Sequence, residues 1–558
     1  MLSRDAVSAA INAAVAEAQR RGTLPAAEVP TAPIERPQNP DHGDFATSLP
    51  LRLAKAMRMR PLEIAQAIGD CVEIGAPVGS VEVAPPGFIN VRLDPAWLGA
   101  QVEGIVSAGE AWGNTDTGHG QTVQIEFVSV NPTGPVHVGH TRGAVLGSAL
   151  ASALEAAGYA VTREYYVNDA GTQMELFYES AYARYAQALG HDAELPENGY
   201  RGAYMVEVGR RLADEHGEHY LQMERHAGIA ALGAVALEQM LAVIKTDLAR
   251  IGVTFDVWFR ERDLYADGRY EAAMKALEEG GHVIEREGAR WFNSSALGEE
   301  KDNVLVRSTG QPTYFAADIA YHRDKLTGRG FGRVIDIWGA DHQGHVSRMK
   351  AVLTALGIDP ARLTVLIAQL VTLKQGGDIV RASKRTGQII TLGDLVDEVG
   401  ADACRYFFLS RAAESQMDFD LELAKKESAD NPVYYVQYGH ARIAGILRQA
   451  AERGLAWESG DTGLLTHPAE LGLVRKMLQL PEHIDSIATT LAPHVLAHYA
   501  VELATAFHAF YDNCRVLPSD DGEPSAALSA ARLRLVEAAK VALGRTLRLM
   551  GMAAPESM

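Results

Sequence analysis

TVQIEFVSVNPTGPVHVGHTRGAVLG, residues 122–147, is the stretch that decides the fold. Residues 122–130 form a β-branched, largely apolar run, which is strand chemistry. Residues 138–157 are rich in Ala, Gly and Leu and read as a long helix that Gly158 ends. Between them lie Asn131, Pro132, Gly134 and Pro135, all turn formers. A strand feeding a helix through a short loop is the repeating unit of a parallel α/β sheet. The junction carries His137 and His140 around Gly139. Unpaired N–H groups at a helix start attract anions, and imidazoles beside them can donate to phosphate oxygens as charge develops. Gly139 has no Cβ, so a flat base could lie against the backbone. The plain alternative is two incidental histidines in a loop.

Outward from this junction the strand–helix alternation continues. VTREYYVND, 161–169, is the next strand, and strands resume at 304–306, 334–338 and 364–370. The interval 174–250 is dominated by helical patterns and reads as an insertion that splits the sheet in sequence. Residues 1–112 read as a separate α+β unit. It has helices near 6–20, 51–57 and 61–68 and short strands at 81–83 and 88–93, with a Pro-Pro-Gly turn before the last. GNTDTGHGQ, 113–121, is its boundary. After about 425 strand signals vanish. Leu533, Val536, Ala539, Leu543, Leu547 and Met550 keep the 3-and-4 spacing of one helix face, while 452–466 and 517–526 read as loops. The expectation is a multi-domain α/β protein: a Rossmann-like domain at 121–425, an N-terminal α+β unit, and a C-terminal helical bundle at 426–558.

A chain of 558 residues is too long for one core. No stretch approaches ~20 uninterrupted apolar residues, so no membrane association is expected. Residues 1–21 read as an amphipathic helix, not a leader. Cys71, Cys404 and Cys514 show neither metal spacing nor a disulfide framework, which fits a reducing cytoplasm. A net charge of −19 argues against sequence-blind nucleic-acid binding but not against a structured RNA held on a local basic surface. Residues 348–385 and 532–548 are such basic stretches, although on charge alone they read as solvated helix faces.

One further stretch carries chemistry. KQGGDIVRASKRTG, 374–387, joins Gly376 and Gly377 to Arg381, Lys384 and Arg385. A mobile basic loop can close over a triphosphate and stabilise the leaving pyrophosphate; without the paired histidines it would read as an ordinary solvated turn.

With these residues in place the sequence resembles the class I aminoacyl-tRNA synthetases, HVGH standing for their HIGH motif and RASKR for KMSKR. Within that class it resembles the arginyl-tRNA synthetases along nearly the whole chain. HGDFATSLPLRLAK at 42–55, APPGFINVRL at 84–93, EFVSVNPTGPVHVGH at 126–140, GADHQGHVSR at 339–348, GADACRYFFLSR at 400–411, DNPVYYVQYGHARI at 430–443 and AFHAFYDNCRVL at 506–517 carry the match. Arg381 stands for the first lysine of KMSKR and Ala382 for its methionine. Arginine delivers its charge as a planar fork, so the main phosphate role falls to Lys384.

The resemblance implies His137, His140 and Lys384 as catalytic residues. It places ATP on His137, Gly139, His140, Gly339, Asp341 and Lys384. It assigns Glu126, Tyr314 and Asp318 to the guanidinium, and Asn131 and Ser129 to the α-amino and carboxylate groups of arginine. A guanidinium has five donors in a plane and asks for carboxylates placed for paired hydrogen bonds. Glu126 is a charged residue in an apolar strand and needs a partner; a structural salt bridge to Lys or Arg accounts for it equally well. Strict alternation puts Glu126 and Ser129 on opposite faces, so both reach one pocket only if the strand breaks near Val128. Tyr314 and Asp318 share a face if they are helical. Asp341 reads equally as an N-cap for a helix starting near His345. Tyr434, Tyr438 and Arg442 are the tRNA-binding candidates, with Tyr435 and His440 nearby, and at least one of these tyrosines is expected in the core. The family's N-terminal unit contacts the outer corner of the tRNA.

The implied activity is an arginine–tRNA ligase using ATP with Mg2+ as its substrate complex. No tightly bound cofactor, no protein metal site and a cytoplasmic monomer are expected. Two alternatives stand beside it: a class I enzyme making another adenylate, and a non-catalytic tRNA-binding paralogue.

Overall fold

Thr122–Glu126 is the middle strand of a five-stranded parallel sheet. The order across the sheet is Leu363–Ala368, Arg333–Gly339, Thr122–Glu126, Ala160–Val167, Val257–Arg260. The computed structural model describes residues 3–380, 390–519 and 522–558. Both faces of a parallel sheet are covered by its crossovers, and Val123, Ile125, Val334 and Ile335 are accordingly buried. The chain goes one way from the middle strand to Ala160–Val167 and later returns on its other side at Arg333–Gly339. The carboxyl ends of these two neighbours, Glu126 and Gly339, therefore flank the switch point where open α/β sheets bind ligands.

The helix Val138–Ala156 crosses over the middle strand. Its small residues permit a very close approach: a Cβ on Gly147 would stand 2.3 Å from the Phe127 ring. Three helices, Thr172–Ala188, Ala203–His216 and Arg225–Arg250, make the expected insertion. The last is long and apolar enough to cross a membrane by composition alone. Leu232, Leu237, Leu241, Ile244 and Leu248 on it are buried within the chain.

Several expected strands differ. The strand read at 122–130 stops at Glu126, because Val128 and Ser129 take left-handed φ values of 70° and 41°. The strand read at 304–306 is not in the parallel sheet. Asn303–Val306 pairs antiparallel with Ala289–Phe292, which pairs with Val283–Arg286. The hairpin turn between those two has positive φ at Glu287 and Gly288, the twist that suits a two-residue connection. Val257–Arg260 and this hairpin were missed. The strand read at 364–370 ends at Ala368, and Val371–Gln375 pairs instead with Met417–Asp420.

The N-terminal unit packs helices Ser3–Arg20, Leu49–Met57 and Pro61–Gly69 on a three-stranded antiparallel sheet. The C-terminal bundle contains Pro432–Glu452, Val495–Asn513 and the final helix Ala526–Leu549. Leu533, Val536, Ala539, Leu543, Leu547 and Met550 are all buried, as their spacing predicts. The basic residues of 532–548 are not free solvated charges: each has a partner, although Arg548 stays exposed. Arg534 grips Glu103 bidentately at 2.6 and 2.8 Å, Arg548 pairs with Glu110, and Arg545 donates to Asn114. Arg532 pairs with Glu470 and Lys540 with Glu556. This stretch is a seam between the final helix and residues 103–114, not a basic face awaiting a partner.

Arg405 ties the bundle to the sheet domain. It is buried, and its guanidinium donates to the backbone oxygens of Met550 and Ile251 and to Ser148 Oγ. Those two carbonyls close helices of 24 and 26 residues, whose negative ends suit a cation. Burial, opposed by Asp402, brings the pKa of the guanidinium down to about 10.

Candidate active site

The site is built outward from the end of the middle strand. A β-branched residue at positive φ is a backbone outlier that costs on the order of 1–3 kcal/mol, and Val128 is one. The turn it makes removes the alternation problem: past Glu126 the chain no longer follows the pleat. Neighbouring residues hold it there. Ser129 Oγ accepts from the Tyr166 N–H at 3.1 Å, and Tyr165 donates its hydroxyl to the Val130 carbonyl at 2.7 Å. Asn131 Nδ2 donates to Gln173 Oε1 at 2.6 Å.

His137 is the N-cap of Val138–Ala156, and its ring Nδ1 accepts from the Gly139 N–H at 3.1 Å. The His137 and His140 rings lie 3.7 Å apart between centroids. A Cβ on Gly139 would come within 2.9 Å of the His137 ring, so this glycine is required by the first histidine as well as by any ligand. The segment that follows the basic loop is fixed to the same place. Thr391 bridges His137, Val138 N–H donates to Ile390 O at 3.2 Å, and Leu392 N–H donates to Val136 O at 2.7 Å. Arg381, Ala382, Lys384 and Arg385 lie outside the described residues.

The carboxylates come next. Asp336, Glu126 and Glu164 are register partners across three adjacent strands. They are covered by the helix Tyr314–Arg323 and the π-helical turn Asp324–Gly328 that continues it. From this cover Lys325 Nζ donates to Glu126 Oε2 at 2.5 Å and to Asp336 Oδ1 at 2.9 Å. His322 Nε2 faces Asp336 Oδ2 at 2.7 Å, and Tyr321 donates to Glu164 at 2.5 Å. Arg329 forks onto both Glu164 oxygens. The structural salt bridge considered for Glu126 is therefore present, with Lys325 as partner. It engages one carboxylate oxygen only.

Tyr314 and Asp318 do lie on one helix face, Tyr314 half-exposed. Asp318 has no cation within ion-pair distance among the described residues. Burial, reinforced by Glu126, pushes it up to about 6. Glu261, buried at the start of a short helix after Val257–Arg260, was missed by sequence reading. Burial first and Asp318 second push it up to about 7, with Tyr166 and Tyr265 facing it. Burial also raises Glu126 against the pull of Lys325, whereas Lys325 and His322 together outweigh burial at Asp336 and hold it low. Asp336, Glu126 and Glu164 thus have cation partners, whereas Asp318 and Glu261 have none among the described residues. The signal that singled out Glu126, a charge inside an apolar strand, was equally present at Glu164 and Asp336.

Gly339 ends its strand and leads into a 3₁₀ segment, Ala340–His345. Asp341 is exposed and faces His342 at 3.6 Å. It does not cap the helix Val346–Ala355, whose N-cap is His345 without a side-chain bond. On the bundle, Tyr434 and Tyr438 stack at 6.0 Å and 8°. Arg442 lies 4.8 Å from the Tyr438 ring and 4.7 Å from that of Tyr511, and donates to the Tyr438 hydroxyl at 2.7 Å. Tyr435 packs against the core, and His440 is buried against Pro555 O rather than beside Arg442 at the surface.

Comparison with known proteins gives three family matches. Residues 4–93 match the arginyl tRNA synthetase N-terminal domain, 101–407 the catalytic domain of tRNA synthetases class I (R), and 436–558 the DALR anticodon binding domain. The chain is 55% identical over 98% of both lengths to the arginine–tRNA ligase of Dehalococcoides mccartyi strain CBDB1. It is 49% identical over 97% of both to that of Carboxydothermus hydrogenoformans. The solved structure of Thermus thermophilus arginyl-tRNA synthetase superposes over the whole of both chains with a TM-score of 0.75 at 24% identity, which speaks for the fold alone. Taken together with the histidine junction and the carboxylate cluster, these matches mean that the chain belongs to the arginyl-tRNA synthetase family.

Proposed function

We propose that the chain joins arginine to its tRNA in two steps. The arginine carboxylate attacks the α-phosphate of Mg-ATP, forming arginyl-adenylate and releasing pyrophosphate. The 2′-hydroxyl of the tRNA's terminal adenosine then attacks the arginyl carbonyl, forming the ester and releasing AMP. Neither step needs a covalent enzyme intermediate; positioning and electrostatics suffice.

The observation that carries the reading is the carboxylate cluster of Glu126, Asp318 and Glu261, of which the last two have no cation partner among the described residues, at the carboxyl end of the strand that leads to the helix N-terminus bearing His137 and His140. A guanidinium is the cation those carboxylates await. Tyr314 would close over it, and Asn131 and Ser129 would take the α-amino and carboxylate ends. His137, His140 and Lys384 would meet the phosphates, Gly139 the adenine, and Gly339 and Asp341 the ribose. Tyr434, Tyr438 and Arg442 form the patch for the anticodon, since stacked aromatics beside arginine suit splayed bases. The unit at 1–112 would meet the tRNA's outer corner and the bundle at 426–558 its anticodon. A cytoplasmic monomer without a resident cofactor or membrane contact completes the reading.

Arginylation of tRNA by the wild-type chain and by Lys384→Ala tests it. Wild type should charge tRNA with arginine, and the variant should keep tRNA binding while charging falls by orders of magnitude. Charging unchanged in the variant removes Lys384 from the mechanism, and no charging by wild type leaves the non-catalytic paralogue.

A further inference from the structure

Lys325 has no part in the reading above, yet it is completely buried at the centre of the carboxylate cluster. A π-helical turn is rare and tends to occur at functional sites. This one places Lys325 between carboxylates of two neighbouring strands, with its Nζ 4.1 Å from the Tyr321 ring centroid.

The oxygens around it are used unevenly. Both oxygens of Asp336 are engaged, by Lys325 and His322, and both of Glu164 by Arg329. Glu126 gives Oε2 to Lys325, and no hydrogen bond reaches its Oε1 among the described residues. The Asp318 carboxylate is likewise without a hydrogen bond there; only its backbone oxygen is engaged, by His322 Nδ1 at 2.7 Å.

We propose that Lys325 is a positioning residue for arginine specificity: by tying Glu126 Oε2 to Asp336, it leaves Oε1 as the one Glu126 oxygen offered to substrate, beneath the helix that carries Asp318. The ligand such a pair selects is a planar cation with N–H groups on two edges. A compact ammonium presents a point charge without that fork. The inference rests on arginine being the substrate.

The charge balance points the same way. Glu126 and Asp336 sit on adjacent strands, roughly 4.8 Å apart. With no cation between them, two buried carboxylates on adjacent strands favour sharing a proton. The groups facing Glu126 are Lys325, His322, Tyr321 and Asp318 from the covering helix and its turn, Asp336 and Glu164 from the flanking strands, and Tyr166. Lys325 is the cation hydrogen-bonded to it. Losing Lys325 therefore both frees the carboxylate to rotate and neutralises it at neutral pH.

The test measures KM and kcat for arginine in the full-length enzyme with ATP and tRNA, from pH 6.5 to 9. Lys325→Met is compared with the double variant Lys325→Met/Asp336→Asn, which removes the carboxylate left unpaired and guards against failure to fold. In Lys325→Met the KM for arginine should rise at least tenfold at pH 7 and recover partly toward pH 9. Its kcat should stay within threefold and its KM for ATP within twofold. The double variant should fold and still show at least a fivefold higher KM for arginine. Wild-type KM and pH profile in the double variant would mean that Lys325 only neutralises Asp336, and would overturn the proposal. A wild-type enzyme without arginine-dependent activity overturns the functional reading instead.

Discussion

Thr391 and His137 form an isolated antiparallel bridge, flanked by Val138 N–H to Ile390 O and Leu392 N–H to Val136 O. The chain leaving the basic loop is thereby pinned against the first histidine of the junction. Thr391 also heads the helix Leu392–Val399 through a capping box: its Oγ1 accepts from Asp394 N–H at 3.0 Å, and Asp394 Oδ2 accepts from Thr391 N–H at 2.9 Å. Losing an N-cap costs about 1 kcal/mol. Thr391→Ala should be destabilised by that amount in chemical denaturation and should show a several-fold lower kcat with little change in KM for arginine. An unchanged kcat would separate this anchor from the chemistry.

Gly139 is held by contact with His137 as well as by its place at the helix start. An added Cβ would lie 2.9 Å from His137 Cε1 and 3.0 Å from its Nδ1. Gly139→Ala must displace that ring and narrow the space for the base. The expected result is a KM for ATP raised at least tenfold with arginine affinity nearly intact, read by steady-state kinetics.

Protons compete with arginine in this pocket. Asp318 is pushed up to about 6 and Glu261 to about 7. Below those values the groups are neutral and attract a guanidinium weakly, so KM for arginine should rise as pH falls from 7.5 to 6. Stability has the opposite sign in the free enzyme. A carboxylate whose folded pKa is raised binds its proton more tightly folded than unfolded, so stability is lost as pH rises through the folded value. Arginine supplies the missing cation, and the Tm increase it causes should be larger at pH 8 than at pH 6. A Tm increase independent of pH would place the uncompensated charge elsewhere.

Arg405 and Gly551 make a tight joint between bundle and sheet domain. Gly551 has φ 73°, and a Cβ there would fall 2.1 Å from Arg405 Cζ. Overpacking and a left-handed side chain each cost about 1–3 kcal/mol. Gly551→Ala should therefore be destabilised by roughly 2–4 kcal/mol in denaturant unfolding, and an effect within 0.5 kcal/mol of wild type would mean the joint yields easily.

The sequence was most readable where local chemistry and fold agree. The strand–loop–helix around His137, the helical insertion and the buried face from Leu533 to Met550 were all visible as periodicity. The early end of the middle strand was announced only as a conflict between Glu126 and Ser129, because a positive φ at Val128 is imposed by Tyr165 and Tyr166 from the next strand. Glu164 and Asp336 remained unread because strand register sets them beside Glu126, and Lys325 because a π-helical turn carries it in among them. The basic run at 532–548 read as solvated because its partners, Glu103, Glu110 and Asn114, lie more than 400 residues away.

The central claim is that this pocket activates arginine. Pyrophosphate exchange into ATP measures activation directly, with arginine, lysine, glutamine or cysteine as the amino acid and with or without tRNA. Exchange should appear with arginine alone of the four, and only when tRNA is present. Exchange driven by lysine, glutamine or cysteine in place of arginine would contradict the account.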